Sequence, residues 1–273
     1  MNRLMQWVLA ATLICGSTMF TSCSKDDNPV NPADNLAEKI IGKWIMADMN
    51  GQPLLTNDKT VLTFLSPTKA YGSTSLLWGE ETMTYWFEQI EIAVAIDGNK
   101  MVLTCHANEH HTAVEEYTVT AIDDTEFTAN LKLTVKIDDK VVVSSENTFR
   151  FTRVTRDYSE QILGLWECKG LKGDETFNDG NDRLEFFEDG TYNYWRKNET
   201  GEWESVTSTR EFQEYFVDGT LLATRWKNID EGELREWWEI KSVKGDKMQW
   251  KALRANDDGT TFEQVMDWEK VVE

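Results

Sequence analysis

Three kinds of side-chain chemistry stand out along the chain. All three histidines, His106, His110 and His111, fall within six residues and sit beside Cys105 and Glu109. Imidazole, thiolate and carboxylate are competent zinc ligands, which makes this segment the candidate metal site. Its spacing follows no standard zinc signature, and on a strand Cys105 and His106 face opposite ways, so a polar hairpin loop is the expected role. The run Asn178-Asp179-Gly180-Asn181-Asp182 offers oxygen ligands but lacks the alternate-residue carboxylates of a calcium loop, and it reads as an acidic turn. The third kind is aromatic. Residues 156–273 hold eight tryptophans, against three in residues 36–155. Tryptophan and tyrosine combine a flat apolar face with a polar tip, which suits stacking on sugar rings or gripping small amphipathic molecules. Tyr192, Tyr194, Trp195, Trp203, Trp226, Trp238 and Trp250 form the candidate ligand-binding set, with Tyr192, Tyr194 and Trp195 meeting Glu202, Trp203 and Glu204 across an expected hairpin. Filling a barrel interior is the competing use for the same rings. No Gly-X-Ser-X-Gly elbow, phosphate-binding glycine loop or histidine-paired nucleophile is found. Neither catalysis nor a cofactor is expected.

Charge narrows the partners. The chain carries 48 acidic against 28 basic side chains, a net charge of −20. Such a surface repels phosphate backbones and anionic headgroups, which excludes nucleic acid as a ligand class. Solubility and self-repulsion are the expected roles of the acidity.

The N-terminus has a chemistry of its own. Arg3 supplies a positive start, and Leu4–Cys15 an apolar run interrupted only by Gln6 and Thr12. The run is too short to span a bilayer and reads as the apolar region of an export signal. Phe20-Thr21-Ser22 places small residues before Cys23. This segment resembles the lipobox of bacterial lipoproteins, which implies cleavage after residue 22 and acylation of Cys23. Cys15 competes, but the bulky Ile14 precedes it. Ser24-Lys25-Asp26-Asp27 is similar to the surface-export signal of Bacteroidetes-type lipoproteins, implying an outer-membrane lipid anchor facing the cell exterior. Residues 23–35, with two of the four prolines, form the expected tether.

The elements that position the aromatic set emerge from an internal repeat. Gly42-Lys43-Trp44 recurs as Gly164-Leu165-Trp166, an offset of 164 − 42 = 122 residues, each preceded by a short helical signal at Leu36–Ile41 or Ser159–Leu163. Four further correspondences follow in the same order, ending with Thr148–Val154 against Val265–Val271. Strand-like runs alternate with turn signals such as Asp97-Gly98, Asp189-Gly190 and Asp218-Gly219. About eight strands per copy predict an all-β protein of two tandem antiparallel up-and-down barrels, residues 36–155 and 156–273. The Gly-X-Trp strand after a helical turn resembles the lipocalin-like domains of bacterial surface lipoproteins. That resemblance implies a tryptophan plugging the closed end under a basic side chain from the last strand: Gly42, Trp44 and Arg153 in the first copy, Gly164, Trp166 and Lys270 in the second. Lys270 departs from the family's arginine, and lysine lacks its planar stacking.

Cys105 and Cys168 remain after the signal and the acylated cysteine are set aside. They fall in different copies, and two separate apolar thiols are expected rather than a disulfide. The reading is a surface-tethered lipoprotein that binds a small molecule or glycan fragment. The alternative is a structural or protein-interaction subunit with solid-packed barrels and a surface protein partner.

Overall fold

The computed structural model describes residues 35–74, 77–78, 83–84, 86–173, 180–229 and 232–272. The export signal, Cys23 and the tether lie outside these residues, as do Asn178 and Asp179. The fold is all-β, and among the described residues there is one four-residue helix, α1 (Leu36–Lys39), before the first strand. Among the described residues, no helix is long and apolar enough to cross a membrane. The second helical signal is a turn with a single helix-type bond, from Ile162 N to Tyr158 O at 3.0 Å.

The first sheet holds β1 (Gly42–Met49), β2 (Gln52–Pro53), β3 (Val61–Ser66), β4 (Lys69–Thr74), β7 (Phe87–Asp97), β8 (Lys100–His106), β9 (His111–Ile122), β10 (Glu126–Ile137) and β11 (Lys140–Arg153). The short β5 (Leu77–Trp78) and β6 (Met83–Thr84) pair apart from it. Neighbours in sequence pair antiparallel, and β11 returns to β1, so eight strands close a barrel. Even-numbered spacing then sends alternate side chains inward. Trp44, Leu62, Tyr117, Phe127 and Phe151 meet there, with Phe127 stacked on Phe151 at 4.3 Å and edge-on to Trp44 at 5.0 Å.

The second sheet runs β15-β14-β13-β12-β20-β19-β18-β17-β16. Its strands are β12 (Gly164–Lys172), β13 (Asp182–Phe186), β14 (Tyr192–Lys197), β15 (Trp203–Ser205), β16 (Arg210–Asp218), β17 (Leu221–Asn228), β18 (Glu233–Lys244), β19 (Lys247–Ala255) and β20 (Thr261–Lys270). Eight of them repeat the first barrel strand for strand. Even the bulge is shared: the register of β1 on β11 shifts between Met46 and Asp48, and that of β12 on β20 between Cys168 and Gly170, both 122 residues on. The expectation of two tandem antiparallel barrels is met by a closed eight-strand barrel in the first sheet and a curled half-barrel in the second. That sheet is curled, and its β14–β16 seam carries one isolated bridge, Thr191 to Glu214, in place of a ladder. Side chains continue the seam: Gln213 Nε2 donates to Thr207 Oγ1 at 2.9 Å, which donates to Asn193 Oδ1 at 3.2 Å.

The two sheets also bury their outer faces against each other. Ile45 and Val61, on the outside of the first barrel, pack with Leu221 and Val154. Trp86 packs against Phe216, Ala223 and Trp237 of the second sheet. At the centre, Asp218 is 2% exposed and accepts hydrogen bonds from Ser73 Oγ and Lys43 Nζ, each at 2.5 Å. Lys43 also reaches Asp157 at 2.9 Å. Burial opposes charge on this amine, but its bonds to Asp157 and Asp218 outweigh that and hold its pKa above the ordinary lysine value. The Asp218-Gly219 turn fits closely, since a Cβ on Gly219 (φ +63°) would stand 2.6 Å from Val154 Cγ1. Nearby, the 3-10 turn Thr56–Asp58 lies on β18 and β19, where Leu253 N donates to Thr56 Oγ1 at 2.8 Å.

Truncating Asp218 to alanine strips acceptors from Ser73 and Lys43, and is expected to cost about 2–3 kcal/mol, read as a lower unfolding midpoint in denaturant. Asp58 gives a pH signature. Burial pushes its carboxyl up to about 6 from the usual 3.8. The folded protein therefore keeps a proton that the unfolded chain releases, and stability falls as pH rises through that window. Asp58→Asn should exceed the parent at pH 7.5 by on the order of 2–3 kcal/mol, a gain that vanishes below about pH 4.

Candidate functional site

The inner face of the second sheet surrounds a cavity of about 390 Å³. Its lining follows the two-residue period of strands: Asp182 and Leu184 from β13, Tyr192, Tyr194 and Arg196 from β14, Thr224 and Trp226 from β17, Glu236 and Trp238 from β18, and Gln264, Met266 and Trp268 from β20. Leu171, Arg210 and Trp250 complete it. Trp238 and Trp250 lie 5.9 Å apart between ring centres, and Trp250 and Trp268 4.6 Å apart, forming an aromatic floor.

Polar groups enter this apolar space in matched pairs. Tyr194 Oη donates to Asp182, which also pairs with Arg196 Nε at 3.3 Å. Glu236 pairs with Arg254 at 3.5 Å, and the Arg254 guanidinium lies over the Trp238 ring at 4.7 Å. Burial lowers the Arg254 pKa from its ordinary value. Arg210 lies 5.1 Å from the Tyr194 ring centre and 5.2 Å from that of Trp226, and donates to Gln213 Oε1 at 2.5 Å. Burial raises the phenol pKa of Tyr192, and burial together with the bond to Asp182 raises that of Tyr194.

The structure brings together five of the seven sequence-selected aromatics, Tyr192, Tyr194, Trp226, Trp238 and Trp250. Trp195 and Trp203 fall on the other face, because odd positions of β14 point outward. The expected hairpin forms, pairing Lys197 with Trp203, but Trp203 is covered by the Arg183 guanidinium at 4.0 Å and the Lys197 amine at 4.8 Å. Sequence reasoning missed Arg196, Arg210, Glu236, Gln264, Met266 and the inward role of Trp268. The alternation of Gln264, Met266 and Trp268 along β20 was the available signal. Asp182, read within an acidic turn, instead faces the cavity.

At the end of each sheet sits the tryptophan of the Gly-X-Trp strand. Arg153 lies 4.0 Å over Trp44 and donates to the Ile41 and Lys39 carbonyls at 2.8 Å each, while Trp44 Nε1 donates to Ile40 O at 2.7 Å. Gly42 is needed beneath, since a Cβ at its φ of +124° would meet Arg153 Nη1 at 2.5 Å. In the second sheet Trp166 Nε1 donates to Ile162 O at 2.6 Å, and Lys270 Nζ lies 5.3 Å over the ring of Trp166, with Gly164 in the place of Gly42.

The histidine segment is the β8–β9 hairpin. Its rings engage separately: His106 with Thr112 at 3.0 Å, His110 with Asp138 at 2.7 Å and His111 with Asn108 at 2.7 Å. Among the described residues, no three potential ligands converge on a metal position. Cys105 belongs to the first core and Cys168 to the second, and both carry thiols.

No family model matches the chain, and no curated protein matches it in sequence. Among solved structures, it is similar to a transferrin binding protein B variant from Haemophilus parasuis, at 10% identity and a TM-score of 0.25 over 78% of this chain. The match spans about half, 54%, of that protein. It is also similar to a candidate outer membrane protein from Bacteroides fragilis, at 13% identity and a TM-score of 0.20, over 87% of this chain and all of the other.

The buried phenols give a spectroscopic check. Ultraviolet titration should show Tyr192 and Tyr194 ionising only above the range of ordinary tyrosine, near pH 10. Replacing both with phenylalanine should leave the absorbance change below about pH 11 unaltered.

Proposed function

We propose that the chain is a surface-anchored lipoprotein whose second lipocalin-like unit binds a small molecule or glycan fragment in the cavity of its curled sheet, without catalysis. Residues 1–22 are the export signal, Cys23 carries the lipid, residues 23–35 are the tether, and residues 36–155 and 156–273 are the two units. The protein is held at the outer membrane, facing the cell exterior. The observation that carries the ligand reading is the cavity itself. Its volume falls within the 300–1,000 Å³ common for small-molecule sites, and it combines apolar walls with a few convergent polar groups. The indole N–H groups of Trp250 and Trp268 are buried without an acceptor among the described residues, and a ligand oxygen would satisfy one or both.

A second reading rests on the first barrel. Its interior is filled by Trp44, Tyr117, Phe127 and Phe151, which fits a unit that supports or contacts a partner. A division of labour follows, with a solid first unit and a ligand-holding second.

Native mass spectrometry of residues 24–273, with and without chelator, tests the ligand reading. The expected result is a retained small-molecule mass indifferent to chelator and depleted about tenfold by Trp226→Ala, which removes one wall of the cavity. A bare protein mass in the parent, together with unchanged tryptophan emission against a panel of glycans and amphiphiles, would turn the assignment to the partner-contacting role.

A further inference from the structure

Charge around the cavity does not balance. Asp182 is matched by Arg196 and Glu236 by Arg254. That leaves Arg210, which lies between two aromatic rings and makes its polar contacts with Gln213 and the Tyr192 hydroxyl rather than with a carboxylate among the described residues. We infer that the cavity selects an amphipathic anion, a planar apolar body bearing a carboxylate or sulfonate, with Arg210 as the residue that takes the negative group. The inference deepens the ligand-binding reading above and rests on it.

Two observations converge on this assignment. A half-buried guanidinium that lacks a counter-ion is destabilised by desolvation, and burial accordingly lowers the Arg210 pKa. An entering anion removes that penalty, whereas a neutral ligand leaves it in place. Second, Arg210 opens β16 at the seam, over the Tyr194 ring of β14, so its fork of donors stands where the two strands approach without a ladder.

The test pairs two fluorescent probes of nearly the same shape, the anionic anilinonaphthalene sulfonate and the uncharged phenylnaphthylamine, titrated against the purified protein and its Arg210→Met variant. The parent should bind the sulfonate about tenfold more tightly than the neutral probe, and Arg210→Met should bring the two to parity while leaving the neutral affinity within about twofold. Arg210→Lys should restore part of the preference, because it keeps the charge and loses the fork. Trp226→Ala should weaken both probes, reporting that they occupy the cavity. Equal affinity of both probes for the parent, or a preference that survives Arg210→Met, overturns the anion assignment and leaves the cavity reading standing. Failure of both probes to bind overturns the cavity reading itself.

Discussion

A sheet that curls on itself sends every second side chain into a shared interior, and that interior must be filled or left as a cavity. Both halves of this chain obey the constraint with the same strand order and the same bulge, and they resolve it differently. In the first, phenylalanines and a tyrosine stack beneath Trp44, with the ring planes of Phe127 and Phe151 only 8° apart. In the second, bulkier indoles and inward arginines meet at angles that do not tile. The Trp250 and Trp268 planes are inclined by 44°, and space remains between the walls. Hollowness here accompanies both a different set of inward side chains and a seam that the first barrel closes with a ladder and the second does not.

The contact between the sheets adds a second constraint. Strands β1 and β3 are buried on both faces, by the barrel interior on one side and by the second sheet on the other. Polar alternation is therefore lost at Ile45 and Val61, and Lys43, the middle residue of Gly-Lys-Trp, becomes the partner of a buried aspartate. Leu165 holds the equivalent place in the second copy. Duplicated units that meet through one such face cannot keep identical outer surfaces, and the difference between Lys43 and Leu165 records that.

Much of this arrangement was legible in the sequence, because strand alternation, Asp-Gly turns and the repeated Gly-X-Trp are local signals. The stacking of Arg153 on Trp44 was reachable because the family resemblance fixes which strand returns to which. The charged side of the cavity was not reachable. Arg196, Arg210 and Glu236 look like solvent-facing residues in any pattern that equates charge with exposure, and only the curl of the sheet shows that they share a face with Tyr194 and Trp238. Trp195 and Trp203 were selected for their aromatic character as ligand contacts, and strand alternation puts them on the outer face, away from Tyr192 and Tyr194. The open seam was hidden as well. Strand count predicts closure, whereas closure depends on whether two distant strands come into register.

That seam gives the two halves different mechanical characters. Parting β11 from β1 would break a ladder along most of a strand, so the first barrel behaves as a hoop of fixed circumference. Parting β14 from β16 breaks one backbone bridge, a short relay of side chains, the bond from the Tyr215 hydroxyl to Phe187 O and the contact of Arg210 with the Tyr194 ring. The second sheet is closer to a clasp, able to change its girth while every other ladder stays intact. The space it encloses can thus widen at a joint rather than by unfolding a wall.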